Sequence, residues 1–325
     1  LQGLQLEVNS LAEGLARING EIEAARARGA GQAPNDLLDT RDRLLKELSE
    51  YTGMVSSFQD DGLVNVTVGE GQVLVVGPVY QSISLTQGQY DPLALDLNVQ
   101  TLDESKVPIT DTVTGGRMYG LLRFREEVLE PARQELGLLA VGITETFNAQ
   151  HQLGFDLNGA AGGKFFTSIA PTIAESSTNR GAATATASIS DAGALQPTDY
   201  RLQWTGATWT LTNLSTDETQ NAADGAFNVN GLAIAVGGGA AEIGDSFLIR
   251  PHFRAASAMN VAATQPSDIA AAAPIVSAKN VNNKGSAQIT ELSNASMDNI
   301  PLATDITLTY RDNAAGFGPG FEVIG

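Results

Sequence analysis

The sequence predicts an α+β multidomain chain: an elongated, coiled-coil-like helical domain carrying a small β meander, followed by all-β domains. Three observations lead there. Leu4, Val8, Leu11, Leu15, Ile18 and Ile22 recur at alternating steps of four and three, the spacing that gives one helix face an apolar seam. Beyond Asp60-Asp61-Gly62 this period gives way to short β-branched runs between glycine turns. A second long helical stretch then leads into a segment, Gly154 to Pro251, dominated by Thr, Ala, Gly, Ser and Val.

The first seam ends where Arg28-Gly29-Ala30-Gly31-Gln32-Ala33-Pro34 breaks the helix, so two helices joined as an antiparallel hairpin are expected. Asn35 is a suitable N-cap, and Asp36 and Asp39 sit near the positive end of the helix dipole. Leu37, Leu44, Leu48, Tyr51 and Val55 recur at helical spacing, which predicts a second helix from about Asp36 to Tyr51. The heptad itself reads first as an intramolecular seam, packed on the second and third helices of its own domain. A role in assembly is the other reading of Leu4, Val8, Leu11, Leu15, Ile18 and Ile22.

Leu63 to Val68, Val73 to Val76, Val79 to Leu85 and Leu93 to Val99 are predicted to form an antiparallel meander. Helical spacing returns from Tyr119 to about Gln152, with Leu129, Ala132, Leu136, Leu139, Ile143 and Phe147 as the expected apolar face. Pro131 removes a backbone donor, so a kink or a fresh start is expected there. Strands are predicted at Ala182 to Ile189, Tyr200 to Thr205, Thr208 to Leu214, Leu232 to Val236 and Ser246 to Arg250. Phe253 to Met259 and Asp268 to Pro274 read as Ala-rich connectors. Gly285 to Thr290 and Asp305 to Tyr310 read as strands of a further domain. The predicted division is 1–153, 154–273 and 274–325. The missing initiator Met and the seam already under way at Leu1 suggest a fragment.

Composition excludes several functions. The chain of 325 residues carries 37 Asp and Glu against 19 Lys and Arg, a formal charge of −18. Phosphate binding needs clustered cations, so neither nucleic acid nor an anionic membrane surface is an expected partner. With no cysteine, thiolate catalysis and cysteine metal sites are ruled out. No apolar run approaches the roughly 20 residues that span a bilayer.

Candidate chemistry is thin. Asp156-Leu157-Asn158-Gly159 begins like a calcium loop, but Thr167 stands where the bidentate Glu would be, so an Asn-Gly turn after a helix exit is the better reading. His151 and His252 lie too far apart for a zinc motif, and His151 fits a helix-end cap or a packed position. Gly237-Gly238-Gly239 lacks the Lys-Ser/Thr of a phosphate loop. Asp60-Asp61 and Glu126-Glu127 read as a turn and a helix face, not as a glycosidase pair. No catalytic residue, metal ligand or cofactor site is predicted.

The wording of several blocks carries further information. Asn35-Asp36-Leu37-Leu38-Asp39-Thr40-Arg41-Asp42, continuing to Gly53, resembles a block of the bacterial flagellar hook-associated protein 1 family, which joins hook to filament. His151-Gln152-Leu153-Gly154-Phe155-Asp156-Leu157-Asn158-Gly159 with Lys164-Phe165-Phe166 resembles that family's passage from long helix to β domain. Asp199 to Leu202, Trp209 to Thr212, Asp245 to Pro251 and Ile269 to Pro274 resemble the hairpin and exit of that β domain. These blocks occur in the family's order; the tail after Pro274 matches less clearly. The resemblance implies a structural protein, exported through the flagellar channel with a chaperone and assembled as a ring. Its partners would be hook protein on one side and a second junction protein or flagellin on the other. A secreted β-domain adhesin or phage-tail-like module is the alternative, with Trp204 and Trp209 stacking on sugars.

Overall fold

The computed structural model describes residues 1–28, 34–60, 62–91, 93–298, 300, 302–313 and 318–324. The expected loop Gly29 to Ala33 and residue Asp61 lie outside these. By contacts the chain forms two compact units. One comprises Leu1–Glu135, Pro171–Ser188 and Gln196–Pro251; the other comprises Leu136–Ala170, Ile189–Leu195 and His252–Gly325.

In the first unit, α1 (Gln2–Arg28) and α2 (Asn35–Tyr51) lie against each other. The helix cap differs from the sequence expectation. Pro34 occupies the N-cap position without a side-chain bond, and its carbonyl accepts from the N–H groups of Leu37 and Leu38 at 3.0 and 3.1 Å. Asn35 is already helical, because the backbone carbonyl does the capping. Val55, expected on this helix, stands exposed on strand β1 (Met54–Phe58).

β1, β2 (Val64–Val68), β3 (Gln72–Val76) and β4 (Val79–Tyr80) form one antiparallel sheet in sequence order. β5 (Ser82–Gln87), β6 (Leu95–Gln100) and β7 (Lys106–Pro108) form a second. The expected single meander is therefore two sheets, divided inside the run Val79 to Leu85. Val8, Leu15, Leu45 and Leu48 from the helices join Val64, Val66, Leu74, Ile83, Leu97 and Val99 from the strands in one core. Sheets thus occupy the place expected for a third helix beside α1. Helix α3 (Gly116–Phe124) closes this core with Met118 and Leu122.

A π-helical turn, Arg125–Leu129, precedes α4 (Glu130–Gln152). Pro131 is the second residue of α4, and the missing proline donor coincides with this change of ladder.

The β domain of the first unit has a five-stranded antiparallel sheet built from β8 (Thr172–Glu175), β10 (Tyr200–Trp204), β11 (Trp209–Asn213), β12 (Thr219–Ala222) and β15 (Ser246–Arg250), ordered β12-β11-β10-β15-β8. A three-stranded sheet, β13-β14-β9, comprises β9 (Thr184–Ile189), β13 (Phe227–Val229) and β14 (Leu232–Gly237). Period-two alternation buries Tyr200, Leu202, Trp209, Leu211, Phe247 and Ile249. Trp209 is 5% exposed, with ring centroids 5.3 Å from Trp204 and 6.0 Å from Phe247. Trp209 is core packing and Trp204 is half-buried against it, so the two rings do not stand open side by side as the adhesin reading needs.

The face expected for α4, which belongs to the second unit from Leu136 on, is turned the other way. Leu136, Leu139, Ile143 and Phe147 are exposed, as is Ala132 in the helix's first turns, and Leu129 before the helix is 38% exposed. The buried residues are Gly137, Ala140, Val141, Thr144, Asn148 and His151. Backbone approach explains the choice: a Cβ on Gly137 would lie 2.1 Å from the His252 carbonyl oxygen. No side chain has room at that position. Farther on, Gly285 to Thr290 forms no strand, whereas β16 (Thr307–Arg311) and β17 (Gly320–Ile324) pair as an antiparallel hairpin.

Candidate functional site

Two clusters gather the residues that the sequence singled out. The first lies in the helical hairpin. Leu4 and Leu11 pack partly buried against the core, and Val8, Leu15, Ile18 and Ile22 are at most 4% exposed. The seam is therefore occupied within the chain. Leu37 and Leu38 pack against Ile18, Ile22 and Leu63. Arg41, 8% exposed, donates from Nη1 to the Gly62 carbonyl at 2.8 Å and pairs with the Asp42 carboxylate at 2.8 Å; its guanidinium lies 4.8 Å from the Phe58 ring centre. A planar, five-donor group can make all three contacts together, which an ammonium cannot. Arg41 thus ties α2 to the β1–β2 turn. Asp36 lies in the first helical turn, and Asp39 is exposed like Asn35.

Between the leucines sits a residue whose role the sequence pattern does not reveal. Asn19 is fully buried. Its amide donates to the carbonyls of Val64 and Gly77 at 2.8 and 2.7 Å, and its oxygen accepts from the Val64 N–H at 3.1 Å. Asn9 does the same for Ile83, accepting from its N–H at 2.7 Å and donating to its carbonyl at 2.9 Å. A side-chain amide has the donor and acceptor of a peptide group, so α1 satisfies strand backbone as a neighbouring strand would. A polar residue inside an apolar repeat was the available signal.

The second cluster is the exit of α4. His151 is 9% exposed. Its Nε2 accepts from the Ala270 N–H at 2.9 Å, so its Nδ1, 2.8 Å from the Gly163 carbonyl, is the donor. Gly154 lies so close to the Ala270 carbonyl that a Cβ would approach it to 2.4 Å. Asn148 donates to the Phe166 carbonyl at 3.1 Å and accepts from its N–H at 2.8 Å. Asp156 Oδ1 accepts from the N–H groups of Ala160 and Asn158, both at 2.8 Å, and Gly159 adopts φ +75°. The Ala160 N–H, with those of Asn158 and Gly159, holds the Asp156 carboxyl below its ordinary value. His151, Gly154, Asp156, Asn158 and Gly159 therefore build a turn that fastens the helix end to the segment around Ala270. Nothing in this cluster places a nucleophile beside a base.

In the β domain, Asp245 performs a similar task at one point. Its carboxylate accepts from the N–H groups of Arg180, Gly181 and Glu242 at 2.8, 3.0 and 2.8 Å. Burial opposes its charge, yet the three bonds outweigh burial and hold the carboxyl below its usual range. Among the described residues there is no group of three or more His, Cys, Asp or Glu placed to hold a metal ion. No helix among them is long and apolar enough to cross a membrane.

Two family models match the chain: the flagellar hook-associated protein FlgK helical domain over residues 2–166, and the flagellar hook-associated protein 1 D2-like domain over residues 173–251. Flagellar hook-associated protein 1 of Salmonella typhimurium is 33% identical over 303 residues, covering 90% of this chain and 54% of the relative. The protein of that name from Escherichia coli K12 is 32% identical over 293 residues, covering 89% and 53%. The flagellar hook junction protein FlgK of Burkholderia pseudomallei superposes with a TM-score of 0.76 at 31% identity, over 84% of this chain and 50% of that one. The chain spans about half the length of the curated relatives it matches.

Proposed function

The chain belongs to the flagellar hook-associated protein 1 family, and from that premise we propose that it is a structural part of the junction between hook and filament. It acts as an exported, extracellular component that assembles as a ring, between hook protein and a second junction protein or flagellin. An export chaperone accompanies it inside the cell, and it carries out no catalysis and needs no cofactor. The helical part to residue 153, the β part to 273 and the remainder are its working divisions.

One observation carries the reading. Leu136, Leu139 and Phe147 are 60%, 60% and 55% exposed on α4, and Ile143 shares their face. A row of large apolar residues at helical spacing is the seam of a helix–helix contact. Relatives have about as much sequence again outside the matched part, and a helix from that part would cover the row in the assembled ring.

The test is to delete the gene, image the cells by electron microscopy and assay the medium for flagellin. Bare hooks with flagellin lost to the medium are expected. Reintroducing the gene with Leu136→Ser and Leu139→Ser should fail to restore filaments, although the circular dichroism of the isolated chain stays unchanged. Intact filaments in the deletion strain would overturn the junction role.

A further inference from the structure

The β domain is held by both ends of one strand. At the start of β15, Ser246 receives a hydrogen bond from the Tyr90 hydroxyl at 2.9 Å, and Tyr90 lies in the β5–β6 loop. The same loop adds Gln89, whose side chain donates to Ser176 Oγ and whose carbonyl accepts from the Ser177 N–H, both at 2.9 Å. At the far end of β15, the Arg250 guanidinium lies 2.7 Å from Glu130 in the first turn of α4 and 3.0 Å from Asp199 beside β10. The ends of a five-residue strand lie about 13 Å apart.

We infer that these contacts form a two-point mount that locks the direction of the β domain relative to the helices of its unit. A body tied at one point can swivel in any direction; tied at two points along one strand it can turn only about that strand, and the Gln89 bonds to Ser176 and Ser177 beside it oppose that turn. The chemistry of the Arg250 end suits a latch. Arg250 is 9% exposed and Asp199 8%, so the cation is neutralised within the β domain whether or not Glu130 is present. Glu130 is the arm that reaches across from the helix, and its side chain is 30% exposed. Its removal therefore releases the mount without leaving a buried charge unpaired, the situation that otherwise unfolds a domain. Tyr90 is equally dispensable for folding, since Ser246 keeps its bonds to Asn179 through its own backbone. The Arg250–Glu130 and Tyr90–Ser246 ties are side-chain bonds, with one backbone bond from Ser177 to Gln89 beside the latter, so removing the side chains loosens the mount while each hydrogen-bonded sheet stays intact.

The chain has no native cysteine, so two nitroxides can be placed at will. Glu13→Cys on α1 and Gln220→Cys on β12 are exposed positions in the same unit. Pulsed electron–electron resonance on the labelled chain should give a narrow distance distribution. Glu130→Ala and Tyr90→Phe should each widen it at least twofold, and both together should widen it further. Near-ultraviolet circular dichroism of Trp204 and Trp209, the only tryptophans, should not change. Arg133→Gln, which removes the exposed partner of Glu130 at 3.3 Å, should leave the distribution narrow. An unchanged width in Glu130→Ala would overturn the mount. So would equal widening in Arg133→Gln, or widening accompanied by loss of the tryptophan signal, because the β domain itself would then be melting.

Discussion

Asn19→Ala tests whether the helical part is held by amide bonds as well as by leucines. The substitution removes three hydrogen bonds, two from the amide and one to its oxygen. Val64 is completely buried, so water cannot reach its N–H once the partner is gone. An orphaned buried donor costs about 1–3 kcal/mol, and the two carbonyls lose roughly 1 kcal/mol each. Alanine returns about 0.5 kcal/mol through better helix propensity. The net loss should be about 2.5–4.5 kcal/mol. Asn9→Ala is the control: it makes two such bonds, but only partly buried ones, and should cost about 1–2 kcal/mol. Urea unfolding followed by circular dichroism at 222 nm reports the helices. Tryptophan fluorescence, confined to the β domain, should keep its midpoint in both variants. If Asn19→Ala falls within about 1 kcal/mol of the parent chain, the amide bonds are replaceable and the reasoning fails.

Three further expectations follow from the same accounting of partners. Arg41→Met should cost about 1–3 kcal/mol through the lost carbonyl bond and pairing, with Arg41→Lys recovering little of it; thermal melting at 222 nm decides. Gly154→Ala should destabilise the α4 exit by about 1–3 kcal/mol, seen as faster hydrogen exchange at the Ala270 N–H, while Gly163→Ala, which meets open space, should have little effect. Asp245 has a folded-state value below its ordinary one, so its contribution is complete above about pH 4 and disappears as the pH falls through the folded value. Acid titration of tryptophan fluorescence should show that loss in the parent chain, and Asp245→Asn should lack it while being less stable at neutral pH.

Local patterns determined much of the architecture. The heptad of α1, the run of α2, the end of α4 at Gln152, the hairpin Trp204–Trp209 and the strand at Ser246–Arg250 all follow from periodicities of 3.6 or 2 and from turn residues. Asp156 and Gly159 were readable as a turn because an Asx acceptor and a left-handed glycine act within five residues. The particular wording around Asn35 and His151 pointed to the family, and the matches establish it.

Other features depend on partners far away in sequence, and only the tertiary structure decided them. Hydrophobicity alone would bury Leu136, Leu139 and Phe147, but the backbone at His252 lies against Gly137, and the face that Gly137 shares with Ala140, Val141 and Thr144 is buried instead. Trp209 reads as a surface anchor until Phe247, thirty-eight positions later, is found beside it. Asn19 reads as a blemish in a leucine seam until Val64 and Gly77 appear as its partners. Which end of a strand is tied down, and by which side chain, is likewise absent from any local pattern. A periodic repeat states that a helix has an apolar face; the backbone and polar groups that approach it determine which face is buried.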